Sequence, residues 1–471
     1  MSLNKNFISD NFLLDNDISQ SLFHDVAKKL PIVDFHNHIN PQHLASDKMY
    51  NNIGELWVNE DPYKHRAMRI NGMFENSITG KASSDKDKFN AWAATLPKTI
   101  GNPLFHWSCI ELKRVFGIDE ILTLSNAEKI WNTCNLKLKE KSFSATNIMK
   151  RWNVDAICTS DSWFDNLSIH KQASLVSGFT VLPSLRADEA LDIDNWKNSK
   201  FLVQLSQISK QQIKTLDDFK SALHHRLEYF NNHGCKLSDH ALNSGFSYQN
   251  CTEEKAAILF KNIIADKKIT SDETVQFQSY LLGFLGKSYS AFGWTMQLHI
   301  GAHRTTSSRL QTLVGPAGGF ATIGRTANIE SISSFLDYLE KGSALPDVIL
   351  YTLNPADNEA LATLTGSFAE DGKPGKVQFG PAWWYNDHIT GIQDQLMAIS
   401  NYGLLSRFVG MTTDSRSILS FSRHEYFRRI LCNMVGNWVE KGLVPMDEKI
   451  LQELITDISY TNSKKIISNE K

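Results

Sequence analysis

The sequence predicts an α/β fold, a (β/α)8 barrel of the TIM type with a large helical insertion after the first strand. Three observations carry that expectation. Short apolar segments of strand character recur eight times along the 471 residues. Helical stretches long enough for βα crossovers lie between many of them. Nearly every segment ends in a polar or ionisable residue, the place where barrel enzymes carry their chemistry. A doubly wound open sheet is the structural rival, but no G-x-G-x-x-G turn follows the first strand, so its dinucleotide support is missing.

From Asp17 to Leu30, the spacing of Ile18, Leu22, Val26 and Leu30 predicts an amphipathic packing helix. The first strand is residues 31–40, PIVDFHNHIN. Alternation along a strand places Ile32, Asp34, His36 and His38 on one face, so two imidazoles converge at its carboxyl end. An isolated H-x-H more often belongs to a buried, hydrogen-bonded strand than to a metal site, because ligands need further partners elsewhere.

Residues 41–150 read as helical without a convincing strand, one insertion that contributes to the pocket. Within it, Phe105, His106 and Trp107 after the Gly101-Asn102-Pro103 turn form either a packed hinge or a pocket wall. Strands are then expected at 155–159, 180–185, 235–237, 294–298, 348–353, 376–379 and 407–413. They lead to Ser160-Asp161, Arg186, Ser238-Asp239-His240, His299, Asn354, Trp383, and Asp414 with Arg416 just beyond. Helices are expected at 215–231, 253–265, 272–287 and 329–341, and two more close the chain before a polar tail, 462–471, whose Lys464-Lys465 pair reads as a solvated helix end.

With 42% hydrophobic and 21% charged residues, the chain can bury a large core, and 1–471 reads as a single barrel domain. A net charge of -2 offers no field for a polyanion, which excludes nucleic acid and membrane surfaces as expected partners. The six cysteines lack C-x-x-C spacing and point to free thiols in a reducing, cytoplasmic setting. The first residues show no basic-then-apolar leader and no apolar run approaches ~18 residues, so neither export nor membrane spanning is expected.

Collected, the strand ends offer His36, His38, His299 and Asp414 as ligands for one divalent cation, zinc or a similar first-row metal. A hydrogen-bonded network of the same groups is the alternative. Arg186 and Arg416 at the same rim suit a small carboxylated substrate. Structural pairing, Arg186 with Asp188 or Arg416 with a helix C-terminus, is the competing reading.

Longer segments then make the chain recognisable: YKHRAMRINGMF with ITG, GNPLFHWSCIELKRVFGIDE, GCKLSDHAL, LHIGAHR, LNPADNEALAT, GKVQFGPAWWYND and LLSRFVGMTTDSRSILSFSRHEYFRRILCN. With the H-N-H strand, this set resembles the uronate isomerases of the amidohydrolase superfamily from Asp10 almost to the C-terminus. The resemblance implies aldose-ketose isomerisation of D-glucuronate to D-fructuronate and of D-galacturonate to D-tagaturonate. It implies metal ligation by His36, His38 and Asp414 with His299 on or near the ion, and substrate contacts by Tyr63, Arg186, Trp383 and Arg416. One divalent metal, zinc by donor type, is implied, and whether turnover strictly requires it stays open. A homo-oligomer acting on a small sugar acid is expected.

For this chemistry Asp414, oriented by the metal, is expected to handle proton traffic at ring opening, with His36 also counted among the catalytic residues. Tyr63 or a metal-polarised group serves the C2 proton, Arg186 clamps the carboxylate, and Arg416 meets developing oxyanion charge. The sequence departs from the family pattern at Pro62, Ser162, Ala317 and His388, all near the presumed rim. His303 and His388 are each either a restored contact or a plain surface or packing histidine. The alternative function is a metal-dependent hydrolase or decarboxylase acting on a small carboxylated substrate.

Overall fold

The structure is a computed structural model that describes residues 7–468. Its strands are β1 (Ile32–Asp34), β2 (Val154–Cys158), β3 (Thr180–Leu182), β4 (Leu185–Arg186), β5 (Leu237–Leu242), β6 (Thr295–Ile300), β7 (Ala302–His303), β8 (Thr322–Ile323), β9 (Asp347–Thr352) and β10 (Val377–Phe379). A three-stranded parallel sheet runs β1-β2-β3, a five-stranded parallel sheet runs β10-β9-β6-β5-β4, and β7-β8 is an antiparallel ribbon. The α/β class with parallel strands is as expected. The named strands form two parallel sheets and no closed barrel among the described residues.

The expected strand 180–185 is two strands, one in each sheet. Pro183 lies between them and has no N–H to donate to a ladder. Pairing nonetheless continues across the break: Thr159 N donates to Leu182 O at 3.0 Å, Asp161 N to Ser184 O at 2.9 Å and Arg186 N to Asp161 O at 2.8 Å. A parallel bridge between Asp161 and Leu185 thereby joins the two sheets.

The expected strand 407–413 carries no ladder. Leu405–Arg407 is a 3-10 turn, and Gly410 sits at φ +90°, where a Cβ would collide with the carbonyl of Ile458, so the extended run is broken. The first strand is also shorter than expected, ending at Asp34. Beyond it, His36 N donates to Thr412 Oγ1 at 2.9 Å, Asp414 N to His36 O at 3.0 Å and His38 N to Ser415 O at 2.9 Å. The two irregular segments hold each other.

β5 begins at Leu237, so Ser238, Asp239 and His240 lie within the strand and not after it. β6 likewise includes His299. Residues 41–150 hold seven α-helices and no strand, from Pro41–Ala45 to Ala145–Arg151. Trp107 packs edge-on against Tyr63 while His106 Nδ1 meets the Tyr426 hydroxyl at 3.2 Å, the packed-hinge arrangement. Lys464 pairs with Asp155 of β2 at 2.7 Å and is no merely solvated helix end; of the tail, 469–471 lie outside the described residues. The six cysteines are free, and no helix among the described residues is long and apolar enough to cross a membrane.

Candidate active site

A cavity of about 330 Å³ opens where the ends of β1, β4, β5, β6 and the 408–414 segment meet. Its lining includes His36, His38, Tyr63, Arg186, His299, Trp383, Asp414 and Arg416, so every site residue expected from the sequence borders one space. Helix Pro62–Ile70 delivers Tyr63 from the helical segment; Asp61 caps it, accepting from Tyr63 N at 2.9 Å and Lys64 N at 3.1 Å.

Asp414 is the hub. Its Oδ1 lies 2.9 Å from His38 Nε2 and 3.3 Å from His36 Nε2, while its Oδ2 accepts from the indoles of Trp383 at 2.7 Å and Trp384 at 2.5 Å. Burial works against its charge, but these imidazole contacts hold the carboxyl well below its ordinary range. Asp414 and Trp384 both take left-handed backbone conformations, φ +47° and +46°, which costs a non-glycine residue about 1–3 kcal/mol. The surrounding bonds impose that strain and set the carboxylate's direction.

His299 stands with a partner the sequence reading did not select. Its Nδ1 lies 2.8 Å from Asp239 Oδ1 without hydrogen-bond alignment, its Nε2 is buried with no hydrogen-bond partner, and its ring stacks on Tyr351 at 4.2 Å. Burial pushes His299 below its ordinary value against the pull of Asp239. His36, which burial alone would depress, is raised because Asp239 and Asp414 flank it. Two overlapping groups that could hold a metal ion result, His36-His38-Asp414 and His36-Asp239-His299, the nitrogen and oxygen atoms of each lying within 4.8 Å of one another. Imidazole and carboxylate donors with an orphaned buried nitrogen fit a divalent cation.

Beneath these groups, Asp34 accepts from Thr412 Oγ1 at 2.7 Å and Thr413 N at 3.1 Å, and contacts His424 Nε2 at 3.1 Å. This buried group ties β1 to the 412–414 segment. Arg423, also buried, stacks 4.0 Å from the Trp107 ring and 4.9 Å from the Tyr63 ring and bonds Thr413 O at 2.8 Å. Burial raises the Tyr63 phenol well above its ordinary value, with Arg423 as the opposing cation.

Arg186 donates through Nε to Asp188 Oδ2 at 3.1 Å, so the pairing alternative is realised while the residue still lines the cavity. Arg416 is exposed at the rim. His303 is exposed on the β7-β8 ribbon; His388 accepts from Gly391 N at 3.1 Å, the N-cap of helix Ile389–Tyr402. Neither histidine lines the cavity. The sequence reading missed Asp239, Trp384, Arg66 and Arg304. Each stands in a segment quoted for the resemblance, and the Ser238-Asp239-His240 strand end was the available signal for Asp239. Arg66 Nη1 bonds Ala321 O at 3.0 Å and Gly319 O at 3.3 Å, holding the 315–321 loop over the cavity.

The chain matches the family model described as glucuronate isomerase over residues 4–467. It is 44% identical over 460 residues to a uronate isomerase of Flavobacterium johnsoniae, with 98% of each chain covered. It is 43% identical over 463 residues to one of Bacillus pumilus, covering 98% of this chain and 96% of that one. Among solved structures it superposes on a uronate isomerase from Thermotoga maritima with a TM-score of 0.92 at 32% identity, covering 98% and 100% of the two chains. A glucuronate isomerase from Caulobacter crescentus shares the fold, with a TM-score of 0.90 at 22% identity over 98% of this chain and 97% of that one.

Proposed function

The chain belongs to the glucuronate isomerase family, and on that premise we propose that it interconverts D-glucuronate with D-fructuronate and D-galacturonate with D-tagaturonate. The observation that carries the reading is the convergence of His36, His38, Asp414, Tyr63, Arg186 and Arg416 on one cavity. Whole-length membership sets aside the hydrolase or decarboxylase alternative.

In this reading the carboxylate of Asp414 takes the proton of the anomeric hydroxyl and returns it to the ring oxygen, opening the hemiacetal. The C2 proton then moves to C1 through an enediol. Tyr63 serves that proton as its phenolate, formed by loss of the phenol proton to water before the transfer, and hands it to C1; burial opposes that ionisation and the Arg423 guanidinium, 4.9 Å from the ring, favours it. Arg186 holds the substrate carboxylate and Arg416 meets oxyanion charge. His36, His38 and Asp414, with His299 and Asp239 alongside, would hold one divalent cation, zinc by donor type, which when bound polarises sugar oxygens.

The same reading treats the two parallel sheets as arcs of one (β/α)8-type barrel. The Asp161–Leu185 bridge supports one seam, and the Asp414 N–His36 O bond supports the other. Residues 41–150 are then a helical insertion in a single domain, supported by their supply of Pro62, Tyr63 and Arg66 to the cavity. Free cysteines support a cytoplasmic home, and a homo-oligomer acting on a small sugar acid belongs to the same proposal.

The test is incubation of purified protein with each uronate, with and without zinc, following aldose loss and ketose appearance by carbon NMR. Turnover of at least one acid is expected. Failure with both under every metal condition overturns the reading.

A further inference from the structure

The cavity holds four arginines, and they differ in what already meets their guanidinium groups. Arg186 is paired with Asp188. Arg416 is exposed, where water screens its charge. Arg66 also has no carboxylate within ion-pair distance among the described residues, but its Nη1 is already committed to the carbonyls of Gly319 and Ala321 and the Tyr385 hydroxyl, with its guanidinium 4.8 Å from the Tyr385 ring. Arg304 has no such settlement. Its Nε donates to Asn243 Oδ1 at 2.9 Å and its guanidinium lies 4.9 Å from the Trp384 ring. Among the described residues, no carboxylate lies within ion-pair distance of it, and no acceptor meets its two terminal nitrogens. Burial lowers its ordinary value against the more distant attraction of Asp188, with the repulsion of Arg186 adding to burial and Asp414 and Asp239 opposing it.

A withdrawn guanidinium without a counter-charge is unfavourable until an anion arrives, and its fork suits a carboxylate. Asn243 and Trp384 fix the orientation of that fork in advance. The same Trp384 donates to Asp414, so the residue that positions the reacting carboxylate also braces this cation. We propose that Arg304 is a carboxylate-binding residue of the cavity, the counter-ion of the acid group of a six-carbon sugar acid, and with it the determinant that selects acids over neutral sugars. The assignment rests on the sugar-acid reading above. It shifts the main clamp from Arg186, whose charge is already met, to Arg304.

The test is titration calorimetry with two non-isomerisable probes, L-gulonate and its neutral counterpart D-glucitol, on wild type, Arg304→Gln and Arg304→Lys, with circular dichroism and melting as fold controls. Wild type is expected to bind the acid more tightly than the polyol. Arg304→Gln is expected to weaken L-gulonate by about 10- to 100-fold, the range for losing hydrogen bonds to a charged group, and to leave D-glucitol within about 2-fold. Arg304→Lys, which keeps charge and loses the fork, falls between. A folded Arg304→Gln protein that binds L-gulonate within 2-fold of wild type overturns the proposal, as does equal loss for both probes. Absence of L-gulonate binding by wild type also overturns it. If wild type binds the acid through Arg304 yet isomerises neither uronate, the carboxylate site stands and the isomerase reading fails.

Discussion

Nε2 of His38 lies 2.9 Å from Oδ1 of Asp414, across nearly the whole length of the chain. The contact joins the segment after β1 to the strand-like segment near the C-terminus. It works because neither segment is regular there: each spends its backbone groups on the other. The irregularity of both segments is what brings an imidazole pair and a carboxylate to one point.

Replacing Asp414 with Asn keeps its size and removes its charge. Steady-state kinetics on Asp414→Asn are expected to show kcat reduced by about 100- to 10,000-fold, the range for losing a positioned acid-base group. Activity within 10-fold of wild type would show that proton traffic runs elsewhere.

The donor sets predict about one divalent cation per chain, consistent with a closed cluster of imidazole and carboxylate ligands. Elemental analysis should show the ion lost from His36→Ala, whose residue belongs to both sets, and mostly retained in His303→Ala, whose residue lies outside the cavity. Equal metal content in the two variants would contradict the assignment.

Trp384 gives one of the two indole bonds to Asp414 Oδ2. Trp384→Phe preserves an aromatic ring and deletes that donor, so kcat is expected to fall by about 10-fold or more, as for a hydrogen bond to a charged group. Stopped-flow binding of a non-reacting acid can separate this loss from the accompanying change in Arg304 stacking, which acts on affinity.

Asp387 sits buried 3.5 Å from Arg423, and burial pushes its carboxyl up to about 7 from an ordinary value of 3.8. The folded protein therefore binds this proton more tightly than the unfolded chain does. Its contribution to stability is full below the ordinary value and is lost as pH rises from about 4 to about 7, on the order of 4 kcal/mol at most. Urea melts of wild type and Asp387→Asn across that window should diverge in slope, the variant losing this decline. Parallel slopes would show that Asp387 ionises normally in the folded state.

Asp34 is enclosed, and burial is outweighed by His424 and the Thr412 and Thr413 bonds, which hold its carboxyl below the ordinary value. Asp34→Ala would strand those donors, and equilibrium unfolding is expected to show a loss of about 3–5 kcal/mol, the range for breaking a buried charged network. A loss under 1 kcal/mol would mean that water or a neighbour replaces the carboxylate.

The order of the chemistry along the chain was legible without coordinates. Alternation and strand-end position picked out His36, His38, Arg186, His299, Trp383, Asp414 and Arg416, and the quoted segments supplied Tyr63; all border one cavity. The lengths of β6, β9 and helix Ile329–Lys341 fell within a residue or two, because local periodicity encodes them. The breaks at Pro183 and Gly410 also follow from residue type, although their consequence for the sheets depends on what packs beside them.

What only the tertiary structure decided is pairing. That Arg186 is met by Asp188 while Arg304 is not, that Asp239 stands with His299, and that two indoles aim at Asp414 are facts of direction and distance between elements. A hydrogen bond depends on about 3 Å and an angle, and a charge is satisfied or not by whatever burial places beside it. Sequence spacing sets which groups reach the ends of the strands. Packing sets which of them are left with no partner, here Nε2 of His299 and the terminal nitrogens of Arg304.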